Sequence, residues 1–157
     1  MDIDAIIEKQ EKMLRFRTID LEIIGRICRI AEDKLRRINA PCYIRASINR
    51  TVVFSLCLPG ASRNNEEWAR RKANLAERYW VSSLHAARNM EKKGQSALSA
   101  GLDEMDYGIS GGSFPILLES GLCIGSITVS GLKGEEDHQM VAESIAEVLD
   151  VEIESVV

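Results

Sequence analysis

Three short groups of residues in this 157-residue chain have the types and spacing for chemistry. The first is Lys72. On a helical wheel for residues 64–92 it falls among Trp68, Leu75 and Tyr79, with Arg71 at the edge of that apolar stripe. Ser82 and Ser83 join the same face if the helix runs on. A cation so placed either lays its stem along apolar surface with its head in water, or aims the head into a cleft to hold a carboxylate or another anion. The second group is Ser110-Gly111-Gly112-Ser113-Phe114-Pro115. Its glycines either make a bend that needs glycine torsions or let a ligand or neighbouring subunit touch the backbone amides. It precedes a strand and lacks the Lys-Ser/Thr of a nucleotide phosphate loop, which sets that chemistry aside. The third is Glu135-Glu136-Asp137-His138 at the start of a helix. Acidic residues suit the helix dipole there, and the same dipole disfavours an imidazolium. His138 is therefore expected to be neutral near pH 7, as a cap, a core residue, a proton acceptor or a ligand to a metal or haem iron. His85, the other histidine, falls off the stripe and is expected in solvent. With no two histidines within two helical turns, no GxSxG and no Cys-His pair, the pattern of a zinc hydrolase or a Ser/Cys nucleophile is missing.

The elements that must position these residues follow from periodicity. Residues 3–15 are weakly helical. Residues 20–38 form a clear amphipathic helix, with Ile24, Ile27, Cys28, Ala31 and Leu35 at steps of three and four and Asp20 as N-cap. Asn39-Ala40-Pro41 stops it. Residues 42–48 and 51–58 alternate around Asn49-Arg50 as a hairpin, closed by Pro59-Gly60. One long helix is expected over 64–92, with Asn64 and Glu67 as a capping box. A second hairpin over 109–130 and a terminal helix over 135–149 complete the order. Antiparallel strands interrupted by helices point to α+β architecture.

A chain of this length buries enough surface to fold as one domain. Net charge is −4, unevenly spread: +3 over residues 1–61, +4 over 62–100 and −11 over 101–157. The basic excess lies on the long helix and the acidic excess on the last one, so the two are expected to meet within a chain or across subunits. Arg70-Arg71-Lys72 is one short cluster in an acidic protein, and no nucleic-acid partner is expected. No stretch is long and apolar enough for a membrane span or a signal peptide, so neither a membrane partner nor export is expected. Cys28, Cys42, Cys57 and Cys123 show no metal-binding spacing and are read as reduced, packed as small hydrophobes, in a cytoplasmic protein.

Two segments together resemble a known family. One runs Leu58-Pro59-Gly60, Asn64-Asn65, Trp68, Arg71-Lys72, Asn74 and Ser82-Ser83. The other runs Gly111-Gly112-Ser113-Phe114-Pro115-Ile116, Gly125, Val129-Ser130-Gly131-Leu132 and Glu136-Asp137-His138. The chain resembles the haem-degrading-domain family, also called GlcG/HbpS-like, and more narrowly a subfamily to which no secure reaction is attached. Tyr79-Trp80-Val81 stand where an aromatic-Gly-His often precedes the two serines, so no histidine lies beside Ser82. The resemblance implies a single domain over 1–157, with residues 1–15 as an N-terminal helical extension. It further implies a profilin-like three-layer α/β/α fold with a five-stranded antiparallel sheet, homodimers or larger rings, and haem as the candidate cofactor.

On this basis the expected binding pocket comprises Lys72, Asn74, Ser82, Ser83, Gly111, Gly112, Phe114, Pro115, Asp137 and His138. Lys72 would hold an anionic group of a small ligand, the glycine turn would offer amides, and His138 would be the axial or metal ligand, oriented by Asp137. The competing expectation is a non-enzymatic oligomeric adaptor whose motif residues build the subunit interface. A third, an enzyme with a Lys72/His138 acid–base pair, has no second carboxylate placed with it. Enzyme and binding protein both stay open at this point.

Overall fold

Alternation in Tyr43–Ile48 and Thr51–Cys57 produces the hairpin β2–β3, and Ser113–Leu118 and Cys123–Ser130 produce a second, β4–β5. The computed structural model describes residues 2–157, and in it these strands form one sheet in the order β1-β4-β5-β2-β3. The first strand, β1, is only Arg15–Phe16 and pairs with β4 in parallel. The five-stranded sheet is therefore mixed, not purely antiparallel. Helix α1 (Ile3–Met13) ends before β1, and Ile6 and Ile7 pack with Leu84 and Val156.

Each face of the sheet takes its own helices. Ile44, Ala46, Phe114, Ile116, Ile127 and Val129 point to one side, where α2 (Leu21–Arg37) and α5 (Gly134–Leu149) bury the main core. Asp20 caps α2 as expected, its side chain accepting from the Ile23 amide at 2.8 Å. The other side presents Ser47, Ser113, Ser126 and Thr128, all fully or almost fully buried. Helix α3 (Arg63–Tyr79) covers them. Its buried residues are Ala69, Lys72, Ala73, Leu75 and Ala76. Small residues against small hydroxyls let helix and sheet approach closely, and they displace the expected aromatic stripe: Trp68 is only half-buried and Tyr79 is exposed.

The helix expected over 64–92 is two helices. Trp80 ends α3 in the left-handed region (φ 59°), and α4 (Ser83–Lys92) starts afresh. The caps differ accordingly. Ser62 and Asn65 make the capping box of α3, not Asn64 and Glu67, and Ser82 caps α4 by accepting from the His85 amide at 3.1 Å. No helix among the described residues is long and apolar enough to cross a membrane. The four cysteines are free, and Cys57 is exposed, so it does not pack as a core hydrophobe.

Candidate functional site

Lys72 points inward from the middle of α3, its side chain 5% exposed, and reaches Asp137 in the first turn of α5 at 3.0 Å. Asp137 is wholly buried and also accepts from the Leu132 amide at 2.9 Å and the Gly131 amide at 3.3 Å. Burial is the largest influence on its carboxyl and raises it, opposed by the Lys72 ammonium and the two amides. The anion that Lys72 was expected to hold for a ligand is thus held by the protein itself.

The glycine turn explains how the pair fits. A Cβ on Gly112 (φ 133°) would lie 3.0 Å from the Lys72 ammonium nitrogen and 2.5 Å from the Val129 carbonyl oxygen. One on Gly111 would lie 2.5 Å from the Gly134 carbonyl oxygen. The missing side chains admit α5 and the ion pair, not a foreign molecule. The next amide, that of Ser113, donates to Ser83 Oγ at 3.0 Å, so it too is taken.

His138 is fully buried, its ring 5.6 Å from that of Phe114. Its Nε2 lies 2.7 Å from Gln10 Oε1. The Gln10 amide is oriented by its other end, which donates to Gln139 Oε1 at 3.2 Å and the Glu154 carbonyl at 2.7 Å. Gln10 therefore offers an acceptor, and His138 is the neutral tautomer that donates from Nε2. Nδ1 is the one fully buried side-chain polar atom without a hydrogen-bond partner among the described residues. Burial pushes the imidazole down to about 3, with charge on His85 a smaller cause. The expected neutrality follows from desolvation, more than from the helix dipole.

The remaining expected residues divide. Ser82, Ser83, Gly111, Gly112, Phe114, Pro115, Lys72, Asp137 and His138 are all buried around the meeting of α3, α4, β4 and α5. Asn74 is elsewhere, on a different face of α3, donating to the Asp106 carbonyl at 2.8 Å. The basic run is engaged internally. Arg70 pairs with Glu67 and Asp106, and Arg71 lies over the Trp68 ring at 4.3 Å and donates to the Glu104 carbonyl. Opposite charges of the middle and last thirds do meet, at Arg70–Asp106 and Lys72–Asp137. Beside the buried cluster, Ser110, Gly111, Gly134 and Leu84 edge a groove of about 410 Å³ whose rim carries Glu91, Glu135 and Arg88.

Sequence reasoning missed a second histidine site. His85 is half-buried on α4, not in solvent, and its Nδ1 lies 2.8 Å from Glu11 Oε2 on α1. The other oxygen of Glu11 accepts from the Ser82 amide at 2.8 Å, at the positive end of α4. The bond to Glu11 is the largest influence on His85 and raises its pKa. Among the described residues His85 Nε2 makes no hydrogen bond, and the ring is half-buried. Only the break at Trp80 turns His85 toward α1. Among the described residues no group of three or more His, Cys, Asp or Glu side chains converges as a metal cluster.

Comparisons with known proteins agree with this architecture. The chain is 39% identical over 144 residues to a UPF0303 protein of Rhizobium rhizogenes, covering 92% of this chain and 89% of that one. It is 35% identical over 162 residues to a UPF0303 protein of Azotobacter vinelandii, covering 98% and 95%. Among solved structures, that of Ybr137w superposes with a TM-score of 0.84 at 22% identity, covering 96% of this chain and 90% of that one. HbpS superposes with 0.68 at 20% identity, covering 86% and 92%. A PduOC:heme complex superposes with 0.69 at 19% identity, covering 88% and 99%. These likenesses carry the mixed α+β fold. The family model described as haem degrading protein HbpS-like matches residues 19–146. With most of its length matched, the chain belongs to the HbpS-like haem-degrading protein family.

Proposed function

We propose that this protein binds haem or a related tetrapyrrole without acid–base or nucleophilic chemistry from its own signature residues. The observation that carries this is the Glu11–His85 pair. A histidine that ligates a metal commonly gives its other ring nitrogen to a carboxylate, which fixes the tautomer and raises ligand basicity. His85 Nδ1 faces Glu11 Oε2 at 2.8 Å in this way, and Glu11 itself accepts from the Ser82 amide. His85 Nε2 makes no hydrogen bond among the described residues. Arg88 and Lys92 follow on α4, both paired with Asp4, so the charges around His85 are mixed, with Glu8, Glu11 and Asp4 the carboxylates.

The expected ligand His138 does not fit the group. Its Nε2 is donated to Gln10, its ring is fully buried, and its Nδ1 is buried with no partner among the described residues. The groove at Gly111 does not fit either, because neither histidine lines it and Glu91 and Glu135 would repel propionates. Lys72, Asp137 and His138 hold the fold; His85 would hold the iron and supply an imidazole donor.

Titration with haemin, followed at the Soret band, tests this. Wild type should show a saturable shift that His85→Ala abolishes and Glu11→Gln weakens. An unsaturable wild-type spectrum overturns haem binding; an unchanged shift in His85→Ala overturns the ligand. The pH dependence has a defined sign. The raised His85 pKa favours the imidazolium, which cannot ligate, so affinity should rise as pH climbs through that pKa.

The adaptor reading has one observation in its favour. Tyr79 and Trp80 stand exposed side by side at the α3–α4 elbow, Trp80 by 49%. Adjacent exposed aromatics are the residue types that anchor protein contacts. If they join copies of this chain, Trp80→Ser should lower the sedimentation coefficient at micromolar concentration. An unchanged coefficient removes that role. The motif residues proper are buried within one chain and are not the contact surface in this reading.

A further inference from the structure

On a different face of α3 from Lys72, two hollows of about 150 and 320 Å³ share Arg50, Asn74 and Glu77. Arg45 on β2 closes the smaller one, and Arg78 and Tyr107 border the larger. We propose that this pocket binds a compact dianion, namely a phosphoryl group, held in the smaller hollow by the guanidinium groups of Arg45 and Arg50, with Arg78 adding positive charge from the larger one.

Four observations support it. The first is unused charge. Arg45, Arg50 and Arg78 form no ion pair among the described residues, whereas Arg70, at the edge of the smaller hollow, is already neutralised by Glu67 and Asp106. The second is unused donors. Arg45 is half-buried at the sheet surface, and its one side-chain hydrogen bond is a long 3.5 Å contact to Ser47 Oγ. A guanidinium removed from water with most of its donors idle costs free energy, and an oxyanion in the hollow offsets that cost. Burial is the main influence on Arg45 and lowers its pKa, consistent with that desolvation.

The third observation is the charge count. Glu77 is the one carboxylate lining the two hollows that makes no ion pair, and it is turned onto Ser126 Oγ at 3.2 Å. Three unpaired arginines against one carboxylate leave a net charge of about +2, the complement of a phosphoryl dianion. The fourth is shape. Guanidinium forks match tetrahedral oxyanions in pairs, and the smaller hollow, at about 150 Å³, has room for such a group between Arg45 and Arg50. The larger hollow leads away past the Tyr107 ring, over which Arg78 sits at 5.7 Å, and could receive the organic part of a phosphate ester.

Thermal unfolding and calorimetry with sodium phosphate, against sodium chloride at matched ionic strength, test the site. Wild type should show a saturable rise in Tm with phosphate. Arg45→Gln/Arg50→Gln should weaken apparent affinity at least tenfold, and Arg45→Lys, which keeps the charge but loses the fork, should weaken it to a lesser degree. Arg37→Gln, on the opposite side of the sheet, should leave it unchanged. If the double variant shows no cooperative melt, the exposed Arg50→Gln alone should still weaken binding. Glycerol 3-phosphate in place of inorganic phosphate separates the two sources: tighter binding assigns the site to a phosphate ester, equal binding to free phosphate. No saturable response in wild type, or an equal response in the Arg45 and Arg50 variants, overturns the proposal. So does a change in oligomer size in those variants with no change in phosphate response, which would assign the arginines to a subunit contact.

Discussion

Lys72→Met should lower stability by about 3–5 kcal/mol, because it leaves the Asp137 carboxylate buried with no countercharge. For a chain of this size that is a fall in Tm on the order of 10 °C. Much of the loss should return in Lys72→Met/Asp137→Asn. The asparagine keeps an acceptor for the Leu132 and Gly131 amides and removes the stranded charge. A double-mutant cycle by chemical denaturation measures this. If Lys72→Met costs less than about 1 kcal/mol, Asp137 is not held as an ion in the folded protein, and the pair is not what joins α3 to α5. The buried pair is a device for specifying one arrangement of those helices, since two apolar residues of similar volume could be as stable.

The second large effect is acid lability through His138. Its folded pKa lies near 3 against an ordinary value of 6.5. Between these values the unfolded chain binds a proton that the folded chain refuses. The imidazole thus favours the folded state fully above pH 6.5, and that share is lost as pH falls toward 3. The slope should approach ~1.4 kcal/mol per pH unit across that window. Denaturant titrations at stepped pH should show it in wild type, and His138→Gln, which can still donate to Gln10, should flatten it. An equally steep slope in His138→Gln would assign the acid sensitivity to other groups. Asp137 cannot mimic this signature, because burial raises its pKa and a raised carboxyl gives a slope of the opposite sign.

The hairpins and the helix over 21–37 were legible because their patterns repeat over enough residues to declare a period. Two elements were not. The parallel strand β1 has two residues, too few to alternate, and it exists only because β4 offers a partner edge. The end of α3 at Trp80 carries no glycine or proline to announce it. That single break explains most of the misplacement at the site. A helix continued through residue 80 would place His85 in solvent and the two serines on the Lys72 stripe; the break changes the phase and turns His85 toward Glu11. The partners of Lys72 and His85 lie 65 and 74 residues away and belong to no local pattern. Most residues of the buried cluster were recognisable as a set; that Lys72 pairs with Asp137, and His138 Nε2 with Gln10, is a property of long-range contacts.

The network around Gln10 has a consequence for the order of biosynthesis. Gln10 is made before both acceptors of its amide: the Glu154 carbonyl lies 144 residues further on, and Gln139 follows it by 129. The same glutamine covers His138 Nε2. Helix α1 must therefore wait until those later residues have been made before its polar anchor can form. Until the tail carrying Glu154 and Val156 arrives to complete it, the nascent chain carries a histidine of ordinary basicity that the finished protein renders almost non-basic.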